Sequence, residues 1–276
     1  MSGATLTAAR ALRLPPPGLL LAWAVIVLLL AWAAVPGLFA WQHPLQGVSG
    51  RQLEPPSVEH WLGTDGLGRD MLARVVYGAR QSLVGAFLAV SVGLTFGTAL
   101  GLLAGARGGI LDAAVMRLVD TLLAIPSLLL SLSVIILLGF GSINAAIAVG
   151  FVSVAHFARL SRAEVLRVRR SEYVEAAFGS GGRFLAVLWR HVLPNAMTSV
   201  LALAALQFGS AILALATLGF LGYGAPPPTP EWGLLIAEGR DFLATAWWLT
   251  AAPGVVVVIA VLATERISRS LGARRT

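Results

Sequence analysis

Between Glu172 and Asn195 the chain carries EYVEAAFGSGGRFLAVLWRHVLPN, a polar, Gly-broken, Arg-flanked segment inside otherwise apolar sequence. Its residue types suit docking rather than bond breaking. Ser171 is placed to cap a short helix, and Glu172 in the first turn sets its charge at the positive end of the helix dipole. Glu175, Ala176 and Ala177 follow. Small alanines let a second protein approach the backbone closely, and the carboxylate can meet an Arg or a backbone donor across the contact. Gly179, Gly181 and Gly182 end the helix and let the chain reverse. A second amphipathic helix, about Arg183 to Leu193, then leads to Pro194 at the start of the next apolar run. Tyr173, Arg183 and Arg190 flank this surface. The reading is a docking site for a cytosolic partner; the alternative is an ordinary loop resting on lipid headgroups.

Other chemistry is sparse. Cysteine is absent, which excludes disulfides and thiolate ligands. His43, His60, His156 and His191 are scattered over different segments with no paired spacing, so no metal site is expected. All 20 basic residues are Arg; without Lys there is no GxxxxGK[ST] loop to cradle nucleotide phosphates.

These residues must be positioned by membrane helices. The chain is 57% hydrophobic and 12% charged, with a mean hydropathy of +0.82, which excludes a water-soluble globular domain. Apolar runs long enough for about 30 Å of hydrocarbon lie near 18–40, 82–106, 115–139, 142–160, 196–222 and 246–264. The expected fold is all-α with about six transmembrane helices. A cytoplasmic tail 1–17 precedes a single transmembrane domain 18–264, and a cytoplasmic tail 265–276 follows. Outer segments are 41–81 and 223–245, and an inner loop spans 161–195. Arg10 and Arg13 before an apolar run also suit a signal peptide, but about 23 apolar residues exceed its usual core, so the run is read as a retained span.

Charge sets the orientation. With both termini inside, 15 of the 20 arginines lie on the inner side. The outer segments keep Arg51, Arg69, Arg74, Arg80 and Arg240, offset by Glu54, Glu59, Asp65, Asp70, Glu231, Glu238 and Asp241. The net charge of +7 therefore marks topology, and no nucleic acid is expected.

In the first outer segment, HWLGTDGLGRD (60–70) is a turn-rich cap in which Asp65, Arg69 and Asp70 pair with each other or face a partner. In the second, Trp232, Trp247 and Trp248 suit a membrane interface. Pro126 is expected to kink the third span. Gly93, Gly97, Gly101 and Gly105 share one helix face and imply close packing, against a partner or against this chain's own helices. Asn144 and Gln207 are the clearly polar deep residues. No Asp, Glu, Lys or Arg sits mid-span, which argues against an ion-coupled secondary carrier; a membrane scaffold would leave the segment 172–195 unexplained.

That segment also carries a resemblance. Glu175, Ala176, Ala177, Gly181, Leu193 and Pro194 match in order the EAA loop of binding-protein-dependent ABC importer permeases. EYVEAA, RHVLPN, HWLGTDGLGRD, GARQSL (78–83), AIPS (124–127) and PPTPEWG (227–233) resemble the dipeptide, oligopeptide and nickel branch, and within it the C-type permease subunit. The resemblance implies a type I importer fold in a bacterial cytoplasmic membrane. It also implies a homologous second permease, two cytosolic ATP-binding cassette subunits and an extracytoplasmic solute-binding protein. Peptides are the implied cargo, with nickel or another small solute as the alternative. ATP and Mg would sit on the partner ATPases and no cofactor on this chain. The EAA helix would be the coupling helix, involving Glu172, Tyr173, Glu175, Ala176, Ala177, Gly181, Arg183, Arg190, Leu193 and Pro194. Two features depart from the branch. The turn reads Phe178 to Arg183 where relatives have RALGAS, and the usual acid and serine of the fifth span appear as Leu215 and Gly219. Pathway residues are not assigned.

Overall fold

In a computed structural model, residues 16–273 are described, apart from the side chains of 178, 184, 185, 191 and 273. The tail arginines Arg10, Arg13, Arg274 and Arg275 lie outside the described residues, as does the His191 side chain. Ten helices run α1 Pro17–Ala34, α2 Met71–Arg107, α3 Gly109–Ala124, α4 Ser127–Leu138, α5 Ser142–Arg169, α6 Glu172–Gly179, α7 Phe184–Val187, α8 Leu193–Phe220, α9 Trp232–Gly239 and α10 Trp248–Ala273. Five of them, α1, α2, α5, α8 and α10, are long and apolar enough to cross a membrane.

α2 and α5 form the backbone of the bundle. α2 has 37 residues, so at 1.5 Å per residue it is about 55 Å long and must project beyond the hydrocarbon. It begins at Met71, well before the expected 82, because Asp70 caps it by accepting a hydrogen bond from the Ala73 N–H at 2.7 Å. The glycine stripe packs on α5. A Cβ at Gly93 would lie 2.6 Å from Ser153 Cβ, at Gly97 2.5 Å from the Val154 carbonyl oxygen and at Gly101 2.4 Å from that of Ala158. Gly150 of α5 returns the contact against Ala89. Of the two expected uses of this stripe, the structure takes the internal one.

The expected third span is not a single kinked helix. α3 and α4 meet at Ile125–Pro126 with a bend of 100°, and neither half alone is long enough to cross. Ile125 is extended (φ −85°, ψ 133°), the conformation that a following proline ring enforces. Asn144, expected deep in the bilayer, instead donates to the Leu138 and Gly139 carbonyls at 3.0 and 3.1 Å, closing the C-terminus of α4.

The tryptophans also divide differently. Trp247 is 61% exposed, but Trp232 and Trp248 are 0% and 7% exposed. Their indole N–H groups donate to the carbonyls of Val75 (3.0 Å) and Thr64 (3.3 Å). A buried indole is tolerated when its one donor is met, so these two are core residues of an end cap, not interfacial anchors.

Candidate functional site

At one end of the bundle, α5 runs past residue 160 as far as Arg169, as its Arg-rich continuation predicts. Its arginines are engaged. Arg169 donates to the Gly105 and Ala106 carbonyls at 2.8 and 2.6 Å, meeting orphan acceptors at the C-terminus of α2. Arg162 grips Asp112 of α3 with two hydrogen bonds at 2.5 and 2.6 Å, and Arg159 pairs with Asp120. This scaffold was read from sequence only as positive charge marking a side.

The segment 171–195 is built on that scaffold. Ser171 does not cap α6 as expected. Its hydroxyl donates back to the Val168 carbonyl, while its own carbonyl accepts from the Val174 and Glu175 N–H groups. α6 then lies with Val174 wholly buried and Ala177 partly buried, three residues apart on one face. They pack into a small core with Ala106, Val165, Val168, Val187, Leu188, Val192 and Ala196. The opposite face carries Glu172, Tyr173, Glu175 and Ala176, all exposed. Glu172 and Glu175 form no ion pair among the described residues. Tyr173 is 48% exposed and is not without a partner.

The turn after α6 is closed by glycine geometry. Gly181 adopts φ +84°, and the Gly182 N–H donates to the Ala177 carbonyl at 3.0 Å, the six-to-one bond of a Schellman turn. A Cβ on Gly182 would lie 2.6 Å from that carbonyl oxygen, whereas one on Gly179 would meet nothing within 4 Å. The expected separate helix 183–193 is instead α7 followed by a π-helical turn, Leu188–Val192, that runs directly into α8. Pro194 has no N–H and its ring crowds the preceding turn; a widened turn just before it relieves both. Leu193 is half-buried and Pro194, Arg183 and Arg190 are exposed. Thus all ten expected contact residues gather at one end, with Glu172, Tyr173, Glu175 and Ala176 sharing the outward face of α6.

The opposite end is a closed cap. Asp65 accepts from Arg69 Nε at 2.6 Å and from Arg74 at 2.7 Å, and Arg74 also donates to Glu238 of α9 at 2.6 Å. Asp70, besides capping α2, lies 2.9 Å from His60 Nδ1. The self-paired reading holds for Asp65 and Arg69; Asp70 is instead held by His60 and by its cap on α2. Arg74 and Glu238 were missed, because nothing in the spacing of residues so far apart announces their pairing.

Glu231 was also missed. It caps α9 by accepting from the Gly233 and Leu234 N–H groups at 2.9 and 3.0 Å. Burial pushes its carboxyl above the usual carboxylate range, and the two backbone donors oppose that push. Gly219 faces it: a Cβ there would lie 2.3 Å from Glu231 Oε2. The absence of a side chain at Gly219 leaves room for this carboxylate. Leu215 is buried in the main core against Gly85. Among the described residues no three His, Asp or Glu gather as a metal site.

Residues 97–276 match the family described as binding-protein-dependent transport system inner membrane component. The chain is 43% identical over 220 residues, 80% of its length and 72% of the relative's, to the dipeptide transport system permease protein DppC of Alkalihalophilus pseudofirmus. It is 44% identical over 211 residues, 76% of its length and 70% of the relative's, to the di/tripeptide transport system permease protein DppC of Pseudomonas aeruginosa. An inward-facing crystal form of the MetNI methionine ABC transporter aligns with 73% of this chain and 97% of its own, with a TM-score of 0.59 at 20% identity, a likeness of fold.

Proposed function

This chain belongs to the family of binding-protein-dependent transport system inner membrane components, and from that premise we propose that it is the multi-pass permease subunit of an ATP-driven peptide importer. Two relatives, 43% and 44% identical, are named as dipeptide and di/tripeptide permeases; that supports peptides as cargo over nickel or another small solute. A homologous second permease completes the membrane part, two cytosolic ATPase subunits drive it, and an extracytoplasmic binding protein delivers the solute. The chain itself hydrolyses nothing and holds no cofactor; ATP and Mg²⁺ belong to the ATPases. Both termini and the end bearing α6 face the cytoplasm, and the cap built from 41–70 and 223–245 faces outward.

The observation that carries this reading is the outward face of α6, presented on a buried Val174–Val187–Val192 core. Closure of an ATPase dimer would push on Glu172, Tyr173, Glu175 and Ala176. The shared core passes that displacement to α7, and the continuous path through the π-helical turn delivers it to the base of α8. Close packing transmits the push because a filled interior has little free volume to absorb it. Arg183, Arg190, Leu193 and Pro194 edge the same surface.

The test is affinity purification of the tagged chain in mild detergent with ATP hydrolysis measured on the product. Recovery of a second permease and ATPases, with hydrolysis that Glu175→Ala alters, is the expected result. A chain that purifies alone without hydrolysis returns the carrier or scaffold alternatives.

A further inference from the structure

The membrane helices carry two concavities, one almost wholly apolar and one in which polar groups are set among apolar ones. One, about 550 Å³ between α1, α2, α8 and α10, is walled by Trp23, Phe87, Phe208 and other apolar side chains, and suits lipid. The other, about 500 Å³ between α4, α5 and α8, gathers Ser131, Ser153, His156, Gln207, Ser210 and Thr217. Polar groups at bilayer depth are costly against hydrocarbon unless paired or wetted. The second concavity is therefore the less suited of the two to a lipid covering.

Its polar groups are incompletely used by the chain. Ser153, Ser210 and Thr217 donate to the carbonyls four residues earlier, at 3.1, 3.4 and 2.8 Å, which leaves their oxygens free to accept. His156 and Gln207 make no hydrogen bond among the described residues. No Asp, Glu, Lys or Arg lines the groove.

The backbone gives an independent sign. The 100° break between α3 and α4 leaves 124–129 exposed, and Ser127 and Leu128 just after it border the groove. Irregular backbone at membrane depth is tolerated where it is buried in protein or lines a water-filled cavity, and discontinuous helices commonly border solute sites.

We propose that the α4–α5–α8 groove is this chain's wall of the solute passage and that it contacts the main-chain amides of a peptide in transit, chiefly through His156 and Gln207. This rests on the permease reading above. Neutral donors and acceptors match uncharged amides without selecting side chains. They also hold the solute weakly enough for it to leave, a condition conduction imposes.

The chain has no cysteine, so single thiols can be placed directly. Gln207→Cys and Ser210→Cys would be compared with Val84→Cys and Phe87→Cys on the apolar side, in the complete transporter reconstituted with cysteine-free partners. A membrane-impermeant maleimide should label 207 and 210 at least about tenfold faster than 84 and 87 in one nucleotide state, and a saturating transported dipeptide should slow that labelling. Inert 207 and 210 in every state, with cross-linking to the second permease, would mark an interface between permeases and overturn the proposal. Rapid labelling that the dipeptide leaves unchanged would overturn the main-chain contact. Dipeptide uptake by the cysteine-free parent is measured alongside. Absent uptake fails the peptide-importer reading, whereas normal uptake with inert 207 and 210 fails the groove alone.

Discussion

Gly181 holds φ +84°, yet a Cβ added there would touch nothing within 4 Å. The demand on this residue is conformational, not steric crowding. Gly181→Val forces a β-branched residue into the left-handed region, at a cost of about 1–2 kcal/mol, and should re-aim α6. The expected outcome is a complex that still assembles and hydrolyses ATP while peptide uptake falls about tenfold or more; Gly181→Asn, which tolerates that region, should retain most uptake. Unchanged uptake in the valine variant would sink the coupling role. Gly182 is the complementary case, since its Cβ would press on the Ala177 carbonyl at 2.6 Å. Gly182→Ala should therefore impair coupling more than Gly179→Ala does. Glu231 supplies a pH prediction. Burial raises its carboxyl pKa, so the folded state favours the protonated form. That contribution is fully present below the ordinary carboxylate value and is lost as pH rises through the raised one. Thermal midpoints of the purified complex should accordingly fall across that window, and Glu231→Gln should flatten the fall; an identical slope in both proteins removes Glu231 as its source.

Elements differed in how openly the sequence announced them. The stretch 172–195 stood out because polar, Gly-broken composition contrasts with the apolar runs around it, and the structure gathers its residues at one end as that contrast suggests. The glycine stripe announced close packing by its spacing of four, but only three-dimensional contact tells which helix fills the groove. The broken third span was concealed because hydropathy averages over a window that one proline barely changes, while the proline alone decides the backbone at Ile125. Trp232 and Trp248 were misplaced for a related reason. An indole suits an interface by type, but here each indole N–H meets a carbonyl within a folded cap. Ser171 failed as a cap because the Val168 carbonyl, at the end of α5, was the nearer partner for its hydroxyl. The stripe carries the element-scale prediction. Gly97→Leu would place a Cβ at 2.5 Å from the Val154 carbonyl oxygen, so α2 and α5 must separate, with a loss of about 3 kcal/mol. Leucine at neighbouring exposed Phe96 should be nearly neutral. Comparable thermal stability for the two variants would show that the α2–α5 contact is not set by this stripe.

Across the whole molecule the two ends are built to opposite specifications. The α6 end keeps Glu172 and Glu175 exposed and without an ion pair among the described residues, whereas the far end buries Asp65, Arg69 and Arg74 in mutual contact. Arg74 is 0% exposed and bridges Asp65 of the 60–70 turn to Glu238 of α9, tying together two segments distant in sequence. Removing one partner costs about 3–5 kcal/mol when the charge left behind is deep and unmatched, but without Arg74, Asp65 keeps Arg69 at 2.6 Å. Because the Glu238 side chain is 30% exposed, Arg74→Met should fall at the lower end and leave the chain folded. If this cap receives the binding protein while α6 receives the ATPases, the two ends should fail differently. Arg74→Met should lower the stimulation of ATP hydrolysis by loaded binding protein while basal hydrolysis in its absence persists; Glu175→Ala should change basal and stimulated hydrolysis together. Equal losses of both activities in Arg74→Met would mean that the cap serves general stability and that reception of the binding protein lies elsewhere on the outer face.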